Sequence, residues 1–135
     1  KVQIHDPKIK NINDVDIYLV NTYGETKSFY NFCKIVFLGG SLINRGGQNP
    51  LEAARFGCNI LHGPNVGNFN EIYKFLKKYN MSDKVSNNNE MLFTLNKLFQ
   101  KKNNTKKIQK KINLIGNNIL KKTYIEINQI LKNEI

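Results

Sequence analysis

The sequence predicts an α/β domain in which helices flank a parallel sheet. Short apolar runs alternate with longer amphipathic stretches along the chain. The apolar runs, each ending in turn residues, are 16–21, 35–40 and 59–63, with a weaker one at 83–86. Short strand-to-helix connections favour parallel strands with right-handed crossovers. In such sheets ligands bind at the carboxyl ends of the strands.

The first two runs are almost continuously apolar, which is typical of strands covered on both faces. The predicted helices are 24–33, 50–56, 69–79, 90–100 and 106–134. The third helix has a stripe of Phe69, Ile72 and Leu76, and the fourth has Leu92, Leu95, Leu98 and Phe99. Gly116 lies inside the last pattern, so both one long helix and two shorter helices fit it.

A recurrent spacing marks the predicted helix starts. Four Thr or Asn residues stand three positions before a Glu, as in a capping box. The four pairs are Thr22 and Glu25, Asn49 and Glu52, Asn68 and Glu71, and Asn87 and Glu90. Pro50 occupies a position where a first-turn proline is tolerated. The boxes therefore place four helix starts at the edge of the sheet where a ligand would bind.

The 135 residues fit one domain with a substantial core, and their formal net charge is +11. This charge suggests an anionic partner, but Lys, Asn and Ile are abundant together, as an AT-rich genome would encode. The run 101–111 is interpreted as a solvated connector, with a patch for anions or an anionic membrane surface as the alternative. No apolar run is long enough to span a bilayer, and none resembles an export signal. These features predict a soluble chain.

Metal and redox chemistry have weak support in the sequence. Cys33 and Cys58 are far apart and are predicted to be reduced thiols in the core. The D-x-D triplet at 14–16 lies at the entry of a strand, which is the wrong edge of the sheet for a ligand. His5 and His62 have no partners at metal-ligand spacing, so no metal site is predicted.

The segment "GGSLINRGGQNPLEAARFG", residues 39–57, contains the most specific local signal. Closely spaced glycines before a helix allow an anion to approach the backbone. Arg45 adds a forked cationic donor suited to phosphate or carboxylate. The segment matches neither a Walker A motif nor the dinucleotide fingerprint. A ligand that carries phosphate is the functional interpretation, and a loop shaped only by packing is the alternative.

The stretch from 21 to 69 resembles the carboxyl-terminal domain of the 3-deoxy-D-manno-octulosonic acid (Kdo) transferases. That family has a D-T-x-G-E-L segment, then F-x-G-G-S-x-x-x-x-G-G-H-N-x-L-E, then G-P-H-x-x-N-F. The matching positions are Thr22, Gly24, Glu25, Gly39, Gly40, Ser41, Gly46, Gly47, Asn49, Leu51, Glu52, Gly63, Pro64, Asn68 and Phe69. Asn21 stands where the family has Asp, and Gln48 and Asn65 stand where it has His. Gln48 hydrogen-bonds but does not titrate near neutral pH as an imidazole does.

The resemblance implies a Rossmann-like domain, one half of a GT-B glycosyltransferase, with a helical carboxyl-terminal tail. It implies that residues 1–135 bind the donor CMP-Kdo without a cofactor or metal. A separate amino-terminal domain would carry the membrane anchor, the catalytic base and the site for a lipid A precursor. The parent enzyme would act at the cytoplasmic face of the bacterial inner membrane. The predicted donor-binding residues are Thr22, Gly24, Glu25, Gly39, Gly40, Ser41, Arg45, Gly46, Gly47, Gln48, Asn49 and Glu52.

Two of these residues have competing interpretations. Glu52 either accepts hydrogen bonds from the donor ribose or closes a capping box with Asn49. Glu25 is either a cap or a cleft residue. For the chain as a whole, the rivals are a GT-B transferase of another nucleotide sugar and a non-catalytic basic module that binds nucleic acid or a protein. The glycine loop argues against nucleic acid as a partner, since such a module does not need it.

Overall fold

A computed structural model of the chain describes residues 1–8, 14–101 and 105–133. It has five strands and five α-helices, with a short 3₁₀ turn at Gly67–Phe69 before the third helix. The strands are β1 (Val2–Ile4), β2 (Ile17–Leu19), β3 (Ile35–Leu38), β4 (Asn59–His62) and β5 (Ser82–Lys84). The helices are α1 (Thr26–Phe32), α2 (Leu51–Arg55), α3 (Asn70–Lys78), α4 (Asn88–Gln100) and α5 (Thr105–Asn133).

The described strands form two parallel sheets. In one sheet β1 pairs with β2, and in the other the order is β3-β4-β5. The predicted α/β class with parallel strands and flanking helices is confirmed. Strand β1 was not predicted, because three residues are too few to show a period-two pattern.

Burial differs sharply between the two sheets. All four residues of β4 are buried, since β4 has a strand on each side. The expectation that β2 is covered on both faces is wrong: Ile17 and Leu19 are 58% and 50% exposed. Strand β2 pairs only with β1 among the described strands, so its apolar side chains lack the cover that β4 has.

The main core lies between the three-stranded sheet and helices α2, α3 and α5. Its fully buried members include Ala53, Ala54, Ile60 and Leu76, and Ile112 of α5 joins them. Phe69 and Ile72 pack against this cluster, so the predicted stripe of α3 is confirmed. A smaller cluster of Leu61, Val85 and Leu98 forms with half-buried neighbours from β3 and α4.

The structure corrects the predicted apolar stripe of α4 and decides between one and two carboxyl-terminal helices. In α4, Leu92 and Phe99 are 61% and 74% exposed, whereas Leu98 is buried beside Met91 and Leu95. The carboxyl-terminal pattern forms one helix, α5, which runs through Gly116. Gln109 ties α5 to the end of α2 by donating to the Phe56 carbonyl at 2.9 Å.

Only one of the four predicted capping boxes forms among the described residues. Asn87 accepts from the Glu90 amide at 2.9 Å, and the Glu90 carboxylate accepts from the Ser86 amide at 2.8 Å. At the other three helices the chain enters differently. The residues that flank α1, α2 and α3 at their starts are Glu25, Pro50 and Phe69, none of which makes a side-chain cap bond.

The two cysteines also differ from each other. Cys58 is buried, and its thiol lies 3.1 Å from the Cys33 carbonyl oxygen. Burial raises the pKa of Cys58 to about 11, which keeps it a thiol. Cys33 is exposed, so its prediction as a core residue is wrong.

Candidate functional site

The glycine-rich loop leaves β3 and closes on itself before α2. Gly40, Gly46 and Gly47 have φ values of +69°, +80° and +75°, which side chains other than glycine rarely adopt. The Gly47 amide donates to the Gly40 carbonyl at 3.2 Å, which holds the two glycine pairs together. Gly39 has open space where a Cβ would lie. A ligand therefore has room to approach the backbone at Gly39.

Ser41 joins this loop to the segment that follows the neighbouring strand β4. Its fully buried hydroxyl donates to the Leu38 carbonyl at 2.6 Å and accepts from the Gly63 amide at 2.8 Å. The Ser41 carbonyl accepts from the Asn65 amide at 2.9 Å. Because both roles of the Ser41 hydroxyl are used internally, its contribution to a ligand site is to hold the loop.

A cleft of about 550 Å³ lies between the glycine loop and the segment 64–70. Its lining is rich in amides, including those of Asn65, Asn68 and Asn70, and Arg45 is the cationic residue in it. Gly46 lies directly against the Asn68 side chain, since a Cβ at position 46 would lie 2.4 Å from Asn68 Nδ2. Such donors and acceptors suit a polar, anionic ligand.

Hydrogen bonds hold the end of the glycine loop at Gln48 and Asn49, whereas the Glu52 side chain just after it is exposed. The Tyr73 hydroxyl of α3 donates to the Gln48 carbonyl at 3.0 Å. Asn49 accepts from the Leu51 amide at 3.0 Å. The Glu52 carboxylate is exposed and makes no hydrogen bond with the described residues, so it does not close a box with Asn49. Helix α2 has only five residues and is shorter than the predicted helix 50–56.

The residues predicted at 22–25 form a second group, at the end of β2. Thr22 donates to Glu25 Oε2, and His5 Nε2 lies 3.0 Å from Glu25 Oε1. The hydrogen bond from Thr22 and then that from His5 lower the pKa of Glu25. Gly24 has a φ of +88° in this turn. Within the described part of the chain, no hydrogen bond or ion pair joins this group to the glycine loop.

Behind the glycine loop, the His62 ring packs at a tilt against the Tyr73 ring, with 4.2 Å between ring centroids. Its Nδ1 lies 2.7 Å from the Gly63 carbonyl oxygen, so this nitrogen carries the proton. Burial lowers the pKa of His62 and raises that of Tyr73 to about 12. Both rings are therefore neutral supports of the loop near neutral pH.

The structure adds residues that the sequence did not assign to the site. Asn65, Asn68 and Asn70 line the cleft, and Tyr73 supports the loop. His5 contacts Glu25 across twenty residues of sequence, a relationship that no local pattern reveals. Among these residues, only Asn65 and Asn68 had a signal in the sequence, because both lie in the segment that resembles the G-P-H-x-x-N-F motif.

Metal ligands are not clustered in residues 1–8, 14–101 and 105–133. No group of three or more His, Cys, Asp or Glu side chains in these ranges has a geometry that could hold a metal ion. Both aspartates of the D-x-D triplet are exposed. No helix of the described residues combines the length and apolar character needed to cross a membrane.

Parallel strands, flanking helices and a cleft walled by two strand-end loops define a Rossmann-like α/β domain. The fold matches the crystal structure of the C-terminal CMP-Kdo binding domain of WaaA from Acinetobacter baumannii, with a TM-score of 0.64 and 22% identity. The match covers 75% of this chain and 53% of that one. No protein-family model matches the sequence.

The sequence itself is similar to curated transferases. It is 32% identical over 101 residues to the 3-deoxy-D-manno-octulosonic acid transferase of Aquifex aeolicus, covering 75% of this chain and 29% of that protein. It is 36% identical over 88 residues to the enzyme of the same name from Rickettsia typhi, covering 65% of this chain and 19% of that protein. The chain thus matches less than a third of the length of these relatives. The predicted relationship to the Kdo transferases is confirmed.

Proposed function

We propose that this chain is the donor-binding part of a glycosyltransferase that moves Kdo from CMP-Kdo to a lipid A precursor. The main support for the proposal is that the loops after β3 and β4 are hydrogen-bonded to each other and together line one cleft. These loops contain the residues of the family motif, from Gly39 to Glu52 and from Gly63 to Phe69. The names of the curated relatives and of the matched solved domain support this donor.

The loop is suited to holding the phosphate of a nucleotide. Open space at Gly39 lets a phosphate reach the backbone, and Arg45 supplies a positive charge from the cleft wall. Fixed donors of this kind also stabilise the negative charge that develops on CMP as it leaves. The exposed Glu52 carboxylate is free to accept from the ribose hydroxyls. The transfer is proposed to proceed without a metal or other cofactor.

The remaining parts of the reaction are assigned by the resemblance to residues outside this chain. An amino-terminal domain would bind the lipid acceptor and supply the catalytic base. The whole enzyme would act at the cytoplasmic face of the inner membrane, next to its lipid substrate. The 135 residues alone are then expected to bind CMP weakly and to transfer no Kdo.

The test is a CMP titration of the chain followed by NMR, with AMP, GMP and a short oligonucleotide as competitors. Amides of 39–41 and 46–49 should shift on binding, with CMP favoured over the other ligands. Glu52→Gln should weaken CMP binding about tenfold, the equivalent of ~1.4 kcal/mol, with an unchanged melting temperature.

Glu71→Gln is the matched control, because Glu71 is an exposed carboxylate that pairs with Lys74 at 3.2 Å. It should bind CMP as the parent chain does. Equal affinity of the Glu52→Gln variant and the parent would show that the ribose is held elsewhere. Preference for the oligonucleotide, with shifts outside the loop, would favour the basic binding module.

A further inference from the structure

His5 is held in one orientation by two hydrogen bonds and two aromatic contacts. Its Nδ1 lies 2.7 Å from the Tyr18 hydroxyl, and its Nε2 lies 3.0 Å from Glu25 Oε1. The rings of Tyr18 and Phe29 meet it edge-on, with centroids at 5.5 Å and 5.6 Å. The His5 side chain is only 12% exposed.

The hydrogen bonds define which ring nitrogen carries the proton. A carboxylate only accepts, so the proton between His5 and Glu25 must sit on Nε2. In the neutral ring Nδ1 is then an acceptor, and the Tyr18 hydroxyl donates to it. Tyr18 thus selects the tautomer that points a donor at Glu25.

The carboxylate of Glu25 receives one donor on each oxygen. Thr22 donates to Oε2, while His5 donates to Oε1. These bonds hold the carboxylate plane in place and leave further lone pairs for an outside donor. With 32% of its side chain exposed, Glu25 remains reachable from solvent.

We propose that His5 is a positioning residue that orients Glu25 for contact with the bound nucleotide donor. The chain of contacts runs from the Tyr18 hydroxyl through the His5 ring to Glu25. The inference rests on the proposed function and on the resemblance, which assigns Glu25 to the residues that bind the donor. It assigns His5 no contact with the donor and no proton transfer.

The first experiment reads the tautomer directly. The chain has two histidines, and the structure assigns them opposite neutral tautomers: Nε2–H for His5 and Nδ1–H for His62. A two-bond ¹H–¹⁵N correlation spectrum at about pH 8.5, above the ordinary histidine pKa, distinguishes the two. Tyr18→Phe should weaken the Nε2–H preference of His5 and leave the His62 signals unchanged. An Nδ1–H tautomer at His5 in the parent chain would overturn the inference.

The second experiment measures CMP affinity. His5→Phe removes the donor to Glu25 and should weaken CMP binding about fivefold or more. His5→Gln keeps an amide donor at the position of Nε2 and should bind CMP within about twofold of the parent chain. In the His5→Phe, Glu25→Gln double variant, the loss should match that of the Glu25→Gln variant rather than the sum of both.

The outcomes separate the inference from the proposed function. If the parent chain does not bind CMP, the donor assignment fails. If the parent chain binds CMP, and the folded His5→Phe and His5→Gln variants bind it as tightly as the parent does, only the role of His5 fails. Should His5→Phe not fold, a loss of CMP affinity in the Tyr18→Phe variant supports the inference, and unchanged affinity overturns it.

Discussion

The Gly63 amide donates to the Ser41 hydroxyl at 2.8 Å, across the ends of the neighbouring strands β4 and β3. This bond joins the two loops that enclose the cleft, and both residues are buried. Their closeness also explains the glycine. A Cβ at position 63 would lie 2.2 Å from the Ser41 carbonyl oxygen, a distance that real structures do not tolerate. The cleft therefore depends on a backbone contact that only glycine permits.

Gly63→Ala should lower the free energy of unfolding by about 2 kcal/mol or more, because the backbone of the glycine loop must move away. Gly116→Ala is the matched control, since nothing lies within 4 Å of a Cβ there and the residue is inside helix α5. That control should stabilise the chain by about 1 kcal/mol through helix propensity. Urea denaturation of both variants measures the difference. A Gly63→Ala variant as stable as the parent would disprove the close approach of the two loops.

The types and order of most elements were predictable because periodicity is a local property of sequence. Helix α3 illustrates this, since the stripe of Phe69, Ile72 and Leu76 lies against the core as expected. Strand β1 was missed because its three residues are recognisable only by their pairing with β2. The motif residues of the glycine loop were found by resemblance. The cleft, which the motif residues Gly46, Pro64 and Asn68 help to line, required the structure.

The capping signal failed for a compositional reason. Asparagine is common in this chain, so Asn-x-x-Glu spacings arise without a capping role. A 3₁₀ turn at Gly67–Phe69 precedes α3, which moves its start beyond Asn68. The contact of His5 with Glu25 was beyond prediction for another reason, since it depends on the alignment of β1 with β2.

Asn87→Ala should lower the free energy of unfolding by about 1 kcal/mol, because it removes the acceptor of the Glu90 amide. Asn68→Ala is the paired variant, since its residue had the same predicted role and α3 starts without a side-chain cap. That substitution should change stability by less than about 0.5 kcal/mol. Thermal and urea unfolding of the two variants compare the sites. Equal losses at both positions would mean that Asn68 also caps its helix.

Stability should fall as the pH drops below the ordinary histidine range, and His62 should cause part of that loss. Burial lowers the pKa of His62 in the folded chain below its value of 6.5 in the unfolded chain. Between the two pKa values the unfolded state binds more protons, so lowering the pH favours unfolding. The stabilising contribution is complete above 6.5 and is lost as the pH falls through the folded pKa.

The comparison is between the parent chain and the His62→Gln variant, in urea unfolding at about pH 7.5 and 5.5. His5 is present in both proteins, so the difference between them reports on His62. The pKa of Glu25, lowered from 4.5, affects stability only at more acidic pH. The variant should lose less stability than the parent over this interval. The same loss in both proteins would show that His62 titrates alike in the folded and unfolded chains.

Gly39→Ala should weaken CMP binding without destabilising the fold. No atom lies within 4 Å of a Cβ at this position, so the methyl group enters open space beside the loop. In the proposed site that space is occupied by the donor phosphate, and a methyl group would keep it from the backbone amides. We expect a loss of about tenfold or more in CMP affinity, with an unchanged melting temperature. Calorimetric titration measures the CMP affinity, and thermal unfolding measures the melting temperature. Gly116→Ala, in helix α5, is the control for CMP affinity and should bind CMP as the parent chain does. If Gly39→Ala binds CMP as tightly as the parent chain, the phosphate does not approach the loop at Gly39.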